Sequence, residues 1–133
     1  MSPALIEGVL TASSPLIGHA VAVGDRRPYN VALIVLDPQA AAAWTTAPDT
    51  EPSVLALAND ENVTTAVKVA LKEANSKLSN VERIRRFHVL PEDWQPGGDQ
   101  LTPTMKLRRA VVTSRYQSVI DEIYDGVVGE EVN

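Results

Sequence analysis

Residues 31–36, Val-Ala-Leu-Ile-Val-Leu, are apolar at every position, and this run constrains the fold more than any other feature of the chain. An apolar stretch of this length, rich in β-branched side chains, suits a strand in a central position of a sheet. Residues 20–24 read as a second strand. The segment between the two, Gly24-Asp25-Arg26-Arg27-Pro28-Tyr29-Asn30, is dense in turn formers and predicts a hairpin with a longer loop, in which Gly24 and Asp25 are turn residues.

Helical signals flank this hairpin. Ser2-Pro3 is a hydroxyl cap followed by proline at the first helical position, and Ile6, Val9 and Leu10 then share a face, which predicts a helix over 3–12. Asp37-Pro38 opens a short alanine-rich helix through Trp44. Residues 45–52 read as a surface linker, with a helical turn after it. Asn59 and Asp60 offer a cap for the strongest helix, in which Val63, Ala66, Val67, Ala70, Leu71, Ala74 and Leu78 repeat at helical spacing. A strand is expected over 84–90, although its alternation slips between Ile84 and Phe87. Residues 92–106 are too polar and broken for a regular element. Residues 107–127 carry a helical stripe of Val111, Tyr116, Val119, Ile120, Ile123 and Tyr124, and 129–133 should fray. The expected fold class is α+β, a small three-stranded sheet packed by helices in a single domain over 1–133.

Composition excludes several chemistries. There is no cysteine, so thiolate catalysis and disulfides are out, and the two histidines, His19 and His88, have no metal-ligand spacing. No metal site is expected. Net charge is −5, which argues against bulk nucleic-acid binding but leaves local basic clusters free to meet a phosphate. No stretch approaches 18 consecutive apolar residues. A cytoplasmic location is the default expectation, with peripheral membrane association left open for a longer enzyme.

The segment Leu101-Thr102-Pro103-Thr104-Met105-Lys106-Leu107-Arg108-Arg109 carries the chemistry. A rigid proline turn delivers a lysine at the mouth of a helix. Taken alone, this makes Lys106 a displayed cation, and a solvated lysine is the commoner case because helix N-termini disfavour cations. Arg26 and Arg27 in the hairpin loop, Arg85 and Arg86 in the third strand, and Lys72 could contact phosphates, against the plainer reading of solvated surface charges. Trp44 and Trp94 are better read as partly buried at the domain edge than as adenine platforms. His88 reads as structural, and Asp99 could cap or orient the lysine loop.

The LTPTMKLRR segment and the tyrosine-bearing helix after it resemble the C-terminal domain of long-chain fatty acyl-CoA synthetases, within the adenylate-forming superfamily. SPALIE, SPLIGHAVAVGDRRPYNVALIVLD and RIRRFHVLPEDW match that domain in order and spacing, with the weakest likeness over 45–59. The resemblance implies that domain's fold, and it implies Lys106 as the adenylation lysine. Most of the superfamily places glycine before that lysine, whereas Met105 stands here, as in the long-chain branch. ATP with Mg would be bound mainly by a large N-terminal domain that is the natural partner of this one, and CoA would be the co-substrate. The phosphate loop and hinge of that N-terminal domain are not in this sequence, so Met1 reads as a truncated start and the domain alone as inactive. Fatty acid, ATP and CoA are the implied substrates. Two other readings stand beside this one: a free-standing interaction module with the same fold, and a fatty-acyl-AMP ligase that loads a carrier protein.

Overall fold

A computed structural model describes residues 2–45 and 53–132. Helix α1 (Pro3–Ala12) starts where Ser2 Oγ accepts the Leu5 N–H and proline occupies the first turn. It leads into β1 (Ile17–Val23) and β2 (Asn30–Leu36), an antiparallel pair. Three helices follow: α2 (Pro38–Ala42), α3 (Val54–Ala58) and α4 (Glu61–Asn75), capped by Asp37, Ser53 and Asp60 respectively. Strand β3 (Ile84–Val89) runs parallel to β2. Two short helices, α5 (Arg109–Arg115) and α6 (Gln117–Tyr124), precede a two-residue strand β4 (Glu130–Glu131) antiparallel to β3. Apart from Thr45, the linker expected over 45–52 lies outside the described residues.

Every residue of β2 is buried because the sheet is covered on both faces. Ala32, Ile34 and Leu36 point into a core shared with Ile6 and Leu10 of α1, Leu57 of α3, and Val63, Val67 and Leu71 of α4. Val31, Leu33 and Val35 point the other way, into a core with Trp94, Leu101, Val112, Tyr116, Ile120 and Ile123. Alternation along one strand thus feeds two cores, the arrangement that an uninterrupted apolar strand requires.

The sheet has four strands where three were expected. The fourth comes from the tail, where fraying was expected over 129–133; within the described residues the Val132 N–H donates to Arg85 O at 2.9 Å and the Val132 side chain is fully buried. The helix expected over 107–127 begins at Arg109 and breaks at Tyr116, whose φ/ψ of −101°/18° is not helical. The Tyr116 ring tilts against Trp94 and its hydroxyl donates to Glu92 while accepting from Gln100 Nε2. A side-chain anchor in the second core therefore takes this residue out of the helical conformation, with no glycine or proline in the sequence to announce it. The slip in β3 is a register irregularity: Asn30 pairs with Ile84 and Val31 with Arg86, so Arg85 is the extra residue. The buried Asn75 amide exchanges two hydrogen bonds of 2.9 Å with the Ile84 backbone and extends the pairing onto α4.

Both histidines are partly buried. His19 stacks on Trp94 at 5.9 Å, and burial holds both imidazoles below the ordinary 6.5 against the opposing pull of Asp93 on His19 and Glu122 on His88. The unfolded chain therefore binds protons more readily than the folded one just below that value, so stability falls as pH drops through 6.5 towards the folded pKa values. The melting temperature should fall between about pH 7.5 and 5.5 in thermal melts. The double variant His19→Gln/His88→Gln should flatten that slope; an unchanged slope would place the linkage elsewhere.

Candidate functional site

Lys106 stands at the end of a three-residue loop that closes a small hairpin. Leu101 and Leu107 form an antiparallel bridge, flanked by hydrogen bonds from the Arg108 N–H to Gln100 O and the Thr102 N–H to Lys106 O, both 2.8 Å. Pro103 and Thr104 make the turn, with the Met105 N–H donating to Thr102 O at 2.9 Å. The Thr102 hydroxyl oxygen accepts the Lys106 N–H at 3.0 Å. Leu101 is buried in the second core and Leu107 packs beside it, so the stem is held in the protein while the tip is exposed. Among the described residues the Lys106 ammonium meets no hydrogen-bond or ion-pair partner.

Met105 has φ +68°, the left-handed conformation in which a type I turn plus one residue closes such a loop. This accounts for glycine at that position in the wider superfamily: the geometry demands positive φ, and methionine adopts it at a cost of about 1 kcal/mol. Met105→Gly should therefore raise the melting temperature by about 2–4 °C, and Met105→Val should lower it. A lower melting temperature for the glycine variant would contradict this account of the loop.

A second feature is a groove of about 1110 Å³ at the end of the sheet where β2 and β3 begin and α4 ends. Arg27, Lys72, Arg83, Arg85 and Arg86 line it, with Glu131 the one carboxylate. Four of the six cations singled out in the sequence are thus brought together, while Arg26 and Lys106 are not among the lining residues. The four are not equivalent. Arg27 donates to Asp121 at 2.5 Å and lies over the Tyr124 ring at 4.5 Å, and this bond holds the Asp121 carboxyl below its usual range. Arg86 donates to Ile123 O at 2.9 Å and to Val128 O and Gly129 O at 3.3 Å, satisfying carbonyls in the last turn of α6 and in the segment that leads to β4. Arg85 is exposed, 5.7 Å from the Tyr29 ring centroid. Lys72 is exposed in the last turn of α4. Arg26 is exposed with φ +61° in the β1–β2 loop. Of these four, Lys72 and Arg85 are therefore the cations most open to an anionic ligand.

Trp94 is 3% exposed with its indole N–H on Glu92, and so is a core residue; Trp44 is 53% exposed. Asp99 pairs with Arg115 at 3.0 Å and so ties the lysine-bearing loop to α5. Among the described residues no group of three or more histidines and carboxylates is arranged to hold a metal ion, and no helix is long and apolar enough to cross a membrane.

Sequence reasoning missed Glu7 and Arg109. Arg109 donates to both Glu7 oxygens, at 2.8 and 2.5 Å, and the Ala22 N–H donates to the same carboxylate at 2.7 Å. The available signal was a glutamate beside Ile6 and one turn before Leu10, on the buried side of an amphipathic helix.

Residues 1–128 match the family model of the AMP-binding enzyme C-terminal domain. A long-chain-fatty-acid–CoA ligase of Mycobacterium tuberculosis is 40% identical over 127 residues, covering 94% of this chain and 21% of that protein. Another relative from that organism, named as a fatty-acid–CoA ligase, is 42% identical over 124 residues, covering 93% of this chain and 22% of that protein. A long-chain-fatty-acid–CoA ligase of Gallus gallus is 31% identical over 140 residues, covering 92% and 18%. The chain thus spans about a fifth of the length of the curated relatives it matches. Among solved structures, the adenylation domain of a carboxylic acid reductase from Segniliparus rugosus, in complex with AMP and a carboxylic acid, superposes with a TM-score of 0.71. It is 21% identical and covers 96% of this chain and 18% of that one, a likeness that establishes the fold.

Proposed function

The chain belongs to the AMP-binding enzyme C-terminal domain family, and from that premise we propose that it serves as the C-terminal domain of a long-chain fatty-acid–CoA ligase, with Lys106 as its adenylation lysine. The observation that carries this reading is an unpartnered ammonium on an anchored hairpin in a domain whose relatives bear the ligase name.

In the proposed reaction a fatty-acid carboxylate oxygen attacks the α-phosphorus of ATP and pyrophosphate leaves, giving acyl-adenylate; the CoA thiol then attacks the acyl carbon and AMP leaves. The first step brings two anions together. A cation fixed beside the carboxylate and phosphoryl oxygens lowers that barrier, and lysine supplies it as a compact point charge with three mobile donors. The described residues offer no group of carboxylates suited to magnesium, so no step assigned to this domain passes through it. ATP and the acyl chain would sit mainly on the N-terminal body, the domain's proposed partner, and the domain by itself would be inactive. Lys72 and Arg85 would meet CoA phosphates in the groove, with Arg26 beside it and with Arg27 and Arg86 holding its walls. The proposed setting is cytoplasmic, with the membrane reached at most peripherally.

The test is an assay of the ligase carrying this domain with palmitate and ATP, offered either CoA or a phosphopantetheinylated carrier protein. Palmitoyl-CoA should form and the carrier should stay unloaded. Carrier loading without palmitoyl-CoA would overturn the CoA assignment, and absence of any acyl-adenylate would overturn the ligase reading.

A further inference from the structure

An adenylation lysine acts only if its ammonium is held close to one place, since a displacement of about 1 Å can cost on the order of 10²-fold in rate. The hairpin fixes Lys106 relative to its own stem. Leu101 and Leu107 pack the stem into the second core beneath β2, and a further interaction ties it to the first helix and the first strand. Arg109 is the first residue of α5, directly after the stem. Its guanidinium forks onto Glu7, which lies 102 residues earlier on α1, and Glu7 also accepts the Ala22 N–H on the open edge of β1. One carboxylate therefore joins the lysine hairpin, the first helix and the first strand.

Burial separates this pair from the others. The Glu7 side chain is 11% exposed, whereas the carboxylates of the remaining ion pairs among the described residues are 47% to 76% exposed. Both Glu7 oxygens are occupied, and the planar fork of arginine fixes angle as well as distance, which a lysine in its place could not do. The start of α5 has no side-chain cap, so helix-end chemistry does not account for the geometry.

We propose that Arg109 is the positioning residue for Lys106, holding the base of the lysine hairpin against α1 and β1 through Glu7. The role deepens the ligase reading and rests on it.

Arg109→Lys keeps the charge and removes the fork; Glu7→Gln keeps an acceptor for Ala22 and removes the charge. In the 133-residue chain both variants should melt within a few degrees of wild type, yet amide hydrogen exchange at Met105 and Lys106 should speed up by about 10-fold. In the ligase, adenylation kcat should fall by about 10-fold with KM for ATP and fatty acid nearly unchanged, and thioester formation from supplied acyl-adenylate should hold. Wild-type exchange and wild-type adenylation in both folded variants would overturn the proposal, as would equal slowing of the two half-reactions. A Lys106→Ala control keeps the two ideas apart. If that variant adenylates normally, the adenylation role of Lys106 fails, while the exchange measurement still decides whether Arg109 holds the hairpin. Should Arg109→Lys fail to fold, Glu7→Gln gives the same readout.

Discussion

Replacing Lys106 by alanine in a ligase that carries this domain is expected to slow acyl-adenylate formation by about 10²- to 10³-fold, the size of effect seen when one donor is removed from a developing oxyanion. The magnitude follows from Coulomb's law. One unit-charge contact at about 4 Å is worth roughly 4 kcal/mol at an effective dielectric near 20, and part of it is already felt by the bound substrates before the transition state. The domain should not pay for the change in stability. The ammonium has no partner among the described residues, so its loss orphans no buried group, and a surface truncation of this kind stays within about 0.5 kcal/mol. Thioester formation from supplied acyl-adenylate should continue near the wild-type rate, because the role proposed for Lys106 is confined to the attack on ATP. Loss of both half-reactions to the same extent would make Lys106 a folding or docking residue instead.

The largest expected effect on stability lies far from that lysine. Gly129→Ala should destabilise the chain by about 3 kcal/mol. Gly129 has φ +81°, and a Cβ there would sit 2.4 Å from Phe87 O, a backbone atom in the middle of β3 that cannot move aside cheaply. The residue also turns the chain so that β4 can pair with β3 and Val132 can fill the first core, while its carbonyl accepts from Arg86. Gly126→Ala is the control, since φ is +77° but nothing lies within 4 Å of the added carbon. It should cost only the left-handed conformation, about 1 kcal/mol. Denaturant melts of the two variants separate the steric part from the conformational part, and equal losses would show that the close approach to Phe87 relaxes freely.

The parts of the fold that were legible in the sequence are those decided by local periodicity. The apolar run of β2, the stripe and Asp60 cap of α4, and the Ser2-Pro3 start of α1 are all present as expected. What was not legible depends on contacts between distant residues. Tyr116 leaves the helix because its hydroxyl and ring are claimed by Glu92, Gln100 and Trp94, and residues 114–118 carry no trace of that. The tail forms a strand because Arg85 and Phe87 offer it an edge. Arg86 reads in the sequence as a cation that could contact phosphate, against a plain surface charge, and its donors go to the carbonyls of Ile123, Val128 and Gly129, while Arg27 is drawn to Asp121. Charge type was visible in each case; partner was not. The proline turn marks Lys106 only as a displayed cation, and its adenylation role rests on the family resemblance, whereas the ion pair beneath it joins residues at opposite ends of the chain, which periodicity cannot connect.

The most direct measurement mixes the purified 133-residue chain with a separately prepared N-terminal body of the ligase and follows acyl-adenylate formation from palmitate and ATP. Activity should appear on mixing, rise with the concentration of this chain, and be lost with the Lys106→Ala chain. Equal restoration by the wild-type and Lys106→Ala chains would contradict the account, because the domain would then contribute no catalytic cation.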